Sequence, residues 1–141
     1  MPLPLPSATW KDERCASMRF IARCYKKMNR YEESQMWLNK AIEEAPYLRD
    51  PYIEMALLQY NLSNWKKTIY YCKEALKIKT HTKTYINEPF SWDETPYDLL
   101  AISYFYLKDK NQAISNIDKA IKINPNNERL INNKKIIESN L

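Results

Sequence analysis

The chain has 141 residues, of which 45% are hydrophobic and 28% charged, a balance suited to a packed domain and too apolar for a disordered one. It contains no glycine and no valine, which excludes the Gly-rich phosphate loops of nucleotide enzymes and favours helices over sheets. The net charge of +5 sits in one place: Lys11 to Arg30 carries seven basic residues against two acidic ones, whereas nucleic-acid binders spread cations over several elements.

Residues 1–9 open with alternating proline (Pro2, Pro4, Pro6) and read as an extended lead-in or linker. Thr9-x-x-Asp12 has the spacing of a capping box, which predicts a first helix starting near Trp10. Met18, Ile21, Ala22 and Tyr25 then fall at i, i+3, i+4 and i+7, one face of a helix. Leu38, Ala41 and Ile42 continue the apolar stripe on a partner helix that Pro46 stops.

The pattern recurs. The segment from Pro51 aligns without gaps with the segment from Pro96, matching Tyr52 with Tyr97, Ala56 with Ala101, Leu62 with Leu107, Ile69 with Ile114, and Ala75 with Ala120. A further copy lies 34 residues before the first of these. The spacing resembles the tetratricopeptide repeat, a helix–turn–helix unit of 34 residues. The last copy fits best, with Tyr97, Leu100, Ala101, Tyr104, Ala113, Ile117, Ala120 and Pro125, while Thr80 stands where the middle copy should have proline. The resemblance implies an all-α fold, an α-α superhelix of three helix-turn-helix repeats (about 15–48, 49–82 and 94–127) plus a capping helix over 128–141, together one domain over 10–141. Small Ala22, Ala56 and Ala101 allow close helix approach. Without glycine the turns fall to Asn29-Arg30, Ser63-Asn64 and Lys108-Asp109, where Asn tolerates the left-handed conformation and Ser or Asp can cap the next helix. Lys108 is a poor turn residue, so strain is expected there. Leu130, Ile131, Ile136 and Ile137 mark the capping helix; nothing comparable precedes the first repeat, so a segment upstream is expected.

Eleven residues, 83–93, interrupt the period between the second and third repeats. Insertions in solenoids map to loops on one face, often the binding face. Tyr85, Phe90 and Trp92 are therefore candidate contacts, unless they fold back between the repeats. The inner groove belongs to the first helix of each repeat: Arg19, Arg23 and Lys26, then Ile53, Leu57 and Tyr60, then Asp98, Ile102 and Phe105. Such a groove runs from basic through apolar to aromatic and suits an extended protein or peptide segment with an acidic end; alternatively Glu54 neutralises Arg19 or Arg23 across the helix pair. Tetratricopeptide domains that clamp a C-terminal carboxylate use Lys and Asn on these helices, an arrangement that Arg19 and Arg23 do not reproduce.

No catalytic constellation, metal site or cofactor site is expected. His81 is the single histidine, and Cys15, Cys24 and Cys72 form no CxxC pair; Cys15 and Cys24 on one helix would stand about 13 Å apart. No stretch is apolar enough to cross a membrane. Together these suggest a cytoplasmic chain with reduced thiols, no nucleic-acid or membrane partner, and room for self-association.

Three strings carry a closer resemblance: Leu5–Tyr25 (LPSATWKDERCASMRFIARCY), Glu43–Tyr52 (EEAPYLRDPY) and Thr84–Leu100 (TYINEPFSWDETPYDLL). They look like the C-terminal tetratricopeptide region of bacterial family 2 glycosyltransferases. That resemblance implies a non-catalytic scaffold presenting an acceptor or partner to a glycosyltransferase domain upstream in the same chain. The catalytic domain and its Asp-x-Asp site lie outside these residues. The alternative is a free-standing peptide-binding adaptor.

Overall fold

The computed structural model describes residues 7–81 and 88–140. These form seven α-helices and no strand: α1 (Ser7–Lys27), α2 (Tyr31–Glu44), α3 (Asp50–Asn61), α4 (Trp65–Leu76), α5 (Thr95–Tyr106), α6 (Lys110–Ile123) and α7 (Glu128–Ser139), with a short 3-10 turn at Pro89–Ser91. Helices α1 and α2, α3 and α4, and α5 and α6 pack as hairpins; α2 then meets α3, α4 meets α5, and α6 meets α7. The result is a superhelix of three hairpins closed by α7.

The hairpins close in the same way although no glycine is available. Asn29, Ser63 and Lys108 take φ values of 60°, 57° and 64°, a left-handed conformation that costs a non-glycine residue about 1 kcal/mol. After each, the next backbone N–H donates at 2.9 Å to the carbonyl five residues earlier: Arg30 to Tyr25, Asn64 to Gln59, Asp109 to Tyr104. This is the six-residue helix stop that a left-handed residue permits. Asp109 caps α6 by accepting from the Gln112 N–H at 3.2 Å. Ser63 caps nothing, because it is itself the left-handed residue; Asn64 takes the N-cap place without a side-chain bond.

The first helix differs from its expected start. It begins at Ser7, so Thr9 and Asp12 lie inside it rather than at its cap. Pro6 is the last helix breaker, and Ala8 favours helix once past it. Asp12 serves the packing instead of the cap. It is buried and accepts the Tyr47 hydroxyl from the α2–α3 connection. Burial and that carboxylate push the Tyr47 phenol up.

The small residues sit where close packing needs them. Ala22, Ala56, Ala101, Ala41, Ala75, Ala113 and Ala120 are all buried. The main core gathers Ala56, Cys72, Leu99, Leu100, Ala101, Tyr104, Ile117, Leu130 and Ile137, joining the last two hairpins to α7. Asn127 caps α7 by accepting from the Arg129 and Leu130 N–H groups. Leu130 and Ile137 face inward, Ile131 is partly covered, and Ile136 stays 51% exposed. Cys15 and Cys72 are buried thiols pushed up to about 12, in both cases chiefly by burial; Cys24 is exposed. Among the described residues no helix is long and apolar enough to cross a membrane.

Candidate functional site

The groove is built from the inner faces of α1, α3, α5 and α7. Its two ends are unlike.

At the α1–α3 end, Arg19 and Arg23 stand one helical turn apart and reach the same carboxylate. Arg19 Nη1 donates to Glu54 Oε1 at 3.1 Å, and Arg23 Nε donates to the same atom at 2.8 Å. Arg19 and Glu54 are 3% and 7% exposed, so this pair is out of water; Arg23 is 42% exposed. Burial opposes the charge on both guanidinium groups. Glu54 outweighs it, aided by Asp50 for Arg19 and by Glu88 for Arg23, and both pKa values end above the ordinary arginine value. Lys26, one turn on, is half-buried, and burial draws its pKa down.

The tail of the insertion lies across this end. Glu88 Oε1 accepts from Arg19 Nη1 at 3.3 Å and from Arg23 Nη2 at 3.0 Å. Burial works against the Glu88 charge, but the two arginines hold its carboxyl below the usual range. The Glu88 N–H donates to Asp50 Oδ1 at 3.0 Å, and the buried Ser91 hydroxyl donates to that same oxygen. Arg49 ties both flanks of the insertion: its Nε donates to the Ile78 carbonyl at 2.8 Å and its Nη1 to the Ser91 carbonyl at 3.1 Å. The Arg49 guanidinium lies 3.7 Å from the Trp92 ring centre, and His81 stacks on Trp92 at 4.3 Å. Phe90 walls a recess of about 150 Å³ together with Arg23, Lys26, Glu54 and Leu57. Tyr85 falls outside the described residues.

At the α5–α7 end the groove is open. A recess of about 340 Å³ is lined by Tyr60, Ile102, Phe105, Tyr106, Arg129 and Asn133, among others. Tyr106, 56% exposed, stacks on Trp65 at 4.4 Å and nearly parallel, and Trp65 meets Tyr60 edge-on at 5.7 Å. Arg129 pairs with Asp98 across α5 and α7, which raises the Arg129 pKa through the hydrogen bond.

The predicted groove residues therefore distribute unevenly. Arg23, Lys26, Leu57, Tyr60, Asp98, Ile102 and Phe105 are partly exposed on these inner faces. Arg19 is buried in its ion pairs, and Ile53 is fully buried. Ile53 lies near the start of α3, where α1, α5 and the 3-10 turn of the insertion also pack against it, so the inner face is covered there and opens only further along, at Leu57 and Tyr60. Sequence reasoning missed Arg49, Asp50, Glu88, Arg129, Asn133, Trp65 and Tyr106. One signal was available for Arg129. Arg23 meets Glu54 31 residues on, and Asp98 meets Arg129 at the same separation, as first helices at a fixed offset should. Glu88 offered no such signal, since the insertion breaks the period. Among the described residues no group of His, Cys, Asp and Glu is placed to hold a metal ion.

Comparison with known proteins agrees with this architecture. Residues 95–127 and residues 20–47 each match a family model described as Tetratricopeptide repeat. No curated protein matches the sequence. Among solved structures, the first tetratricopeptide domain of Spaghetti (RPAP3), bound to the HSP90 peptide SRMEEVD, superposes with a TM-score of 0.74 at 16% identity, covering 90% of this chain and 94% of that one. The N-terminal domain of stress-induced protein-1 from C. elegans gives 0.77 at 13% identity, covering 92% and 98%. The second tetratricopeptide domain of human RPAP3, in complex with the HSP70 peptide SGPTIEEVD, gives 0.76 at 12% identity, covering 92% and 99%. At these identities the likeness is one of fold, and it agrees with the repeat matches: residues 20–47 and 95–127 match the tetratricopeptide repeat, and the chain has the tetratricopeptide superhelical fold.

Proposed function

We propose that the chain is a non-catalytic interaction module that holds an extended segment of a partner protein in the concave groove. The observation that carries this reading is the open recess on α3, α5 and α7. It is lined by apolar side chains (Ile102, Phe105), by the partly exposed Tyr60 and exposed Tyr106 rings, and by polar donors (Arg129, Asn133), the composition of a recognition site. Two proteins of the same fold were determined with peptides, which supports a peptide as the kind of ligand. The test is selection from a random peptide library, followed by amide-shift mapping of a selected peptide. Shifts should cluster on α3, α5 and α7, and Phe105→Ala with Tyr106→Ala should weaken binding about tenfold or more. Shifts confined to the outer helices α2, α4 and α6, or no selected peptide, would overturn it.

A narrower reading makes the module the C-terminal part of a family 2 glycosyltransferase, where the groove would present an acceptor or partner to the catalytic domain. The three strings that resemble that region support it. Arg19 and Arg23 from the first, Arg49 and Asp50 from the second, and Glu88, Ser91 and Trp92 from the third meet in one bracket. The coding sequence upstream of Met1 decides: a nucleotide-sugar domain there supports this reading, and an unrelated leader supports the free-standing adaptor. The reduced thiols Cys15, Cys24 and Cys72 suit a cytoplasmic setting for either.

A further inference from the structure

The α1–α3 end of the groove already holds something with the form of a ligand. Glu88, carried by the insertion, places its carboxylate on Arg19 and Arg23, and Phe90, two residues later, walls the recess beside Lys26 and Leu57. Both lie on inner-face residues of the first two hairpins. The charges close around Glu88. Arg19, Arg23 and Lys26 meet Glu54, Asp50 and Glu88, three against three. Remove Glu88, and the cations outnumber the carboxylates beside a partly apolar recess.

The attachment of Glu88 is graded. Ser91 and Trp92 are held firmly by Asp50 and Arg49. Glu88 itself is 31% exposed and, apart from its backbone bond to Asp50, depends on bonds of 3.0 and 3.3 Å to the two arginines. Glu54, by contrast, is buried and bound to both arginines. The outer carboxylate is the exchangeable one; the inner one is structural.

We propose that Arg23, with Lys26 and the outer edge of Arg19, is a carboxylate-binding subsite that Glu88 fills in cis, and that its external ligand is a peptide with an acidic residue two positions before an aromatic one. A partner that displaces Glu88 gains the basic end of the groove in addition to the open recess. This rests on the peptide-binding reading above and deepens it. A tethered ligand lowers apparent affinity by the fraction of time it leaves the site empty. If Glu88 occupies the site about nine-tenths of the time, its removal raises affinity about tenfold.

The experiment uses the whole chain and two fluorescein-labelled probes, SRMEEVD and a peptide containing Glu-Pro-Phe, titrated by anisotropy at low salt. Glu88→Ala should bind the Glu-Pro-Phe probe about tenfold more tightly than the wild type, and Glu88→Gln, which keeps the shape, should do nearly as well. Adding Arg23→Gln to either should abolish the gain. Far-UV circular dichroism checks that the helices persist in each variant. Equal affinity in wild type and both Glu88 variants overturns the subsite, as does a gain that survives Arg23→Gln. If the library peptides still bind α3, α5 and α7 when Glu88 has no effect, this inference fails alone. If no peptide binds at all, the underlying reading fails and takes this one with it. SRMEEVD, which carries acids but no aromatic residue, should gain less than Glu-Pro-Phe; an equal gain would overturn the aromatic part of the assignment.

Discussion

The two ends of the groove are made from equivalent helices and have opposite characters. At α1–α3 the inner-face charges of Arg19 and Arg23 are answered by Glu54 and Glu88, and the second of these comes from the insertion. At α5–α7 Arg129 pairs with Asp98, and around that pair lie rings and aliphatic groups facing an open recess. The lesson is that a repeat architecture sets where the groove is, but departures from the repeat set what it can hold. From the insertion, Glu88 brings a carboxylate and Phe90 and Trp92 bring rings to one end, while the other is lined by repeat and capping-helix residues.

The largest expected effect breaks the closed end from within. Glu54→Ala removes the buried carboxylate partner of Arg19, a guanidinium only 3% exposed that Glu88 and Asp50 also influence. Loss of one member of a buried pair costs about 3–5 kcal/mol, read as a fall in the urea midpoint. A fall no larger than that of Asp98→Ala, whose partner Arg129 is mostly in water, would mean that the two ends are held alike.

A smaller effect tests the shared scaffold. Ala101, fully buried, stands where the third hairpin needs close helix approach. Ala101→Leu should cost about 1–3 kcal/mol by overpacking. The same change at Ala56, equally buried in the same core, should cost a similar amount, because the ends differ in their insertions and not in their helix pairing. A large difference between the two would show that the closed end is also packed differently.

How much of this was legible in the sequence follows from which forces act at fixed spacing. The hairpins were, because Ala22, Ala56 and Ala101 recur in phase with their apolar stripes. The places of the turns were legible too, at Asn29-Arg30, Ser63-Asn64 and Lys108-Asp109, but not their roles throughout: Ser63 is the left-handed residue and not a cap. The Arg19–Glu54 pair was readable because neighbouring first helices bring residues about one repeat apart together. Ile53 was misplaced on a free face because amphipathic periodicity separates only two faces, while the start of α3 meets hairpin partner, flanking helices and insertion at once. The bracket of Arg49, Asp50, Glu88 and Ser91 joins residues 38 to 42 apart through a segment with no period, and no pattern in the chain announces it.

The smallest expected effect separates the turns themselves. Lys108 holds φ 64° with a β-carbon that crowds the backbone, and its side chain has no compensating local bond to offer as Asn does. Lys108→Gly should relieve that strain and stabilise the fold by about 0.5–1 kcal/mol, the relief being partly offset by the freedom glycine adds to the unfolded chain. Asn29→Gly, at φ 60°, should change stability by less, since Asn already visits this conformation cheaply. The two midpoints measured side by side give the comparison directly. If Asn29→Gly gained as much as Lys108→Gly, side-chain identity would not matter at these turns. The shared six-residue bond pattern would then be what fixes all three.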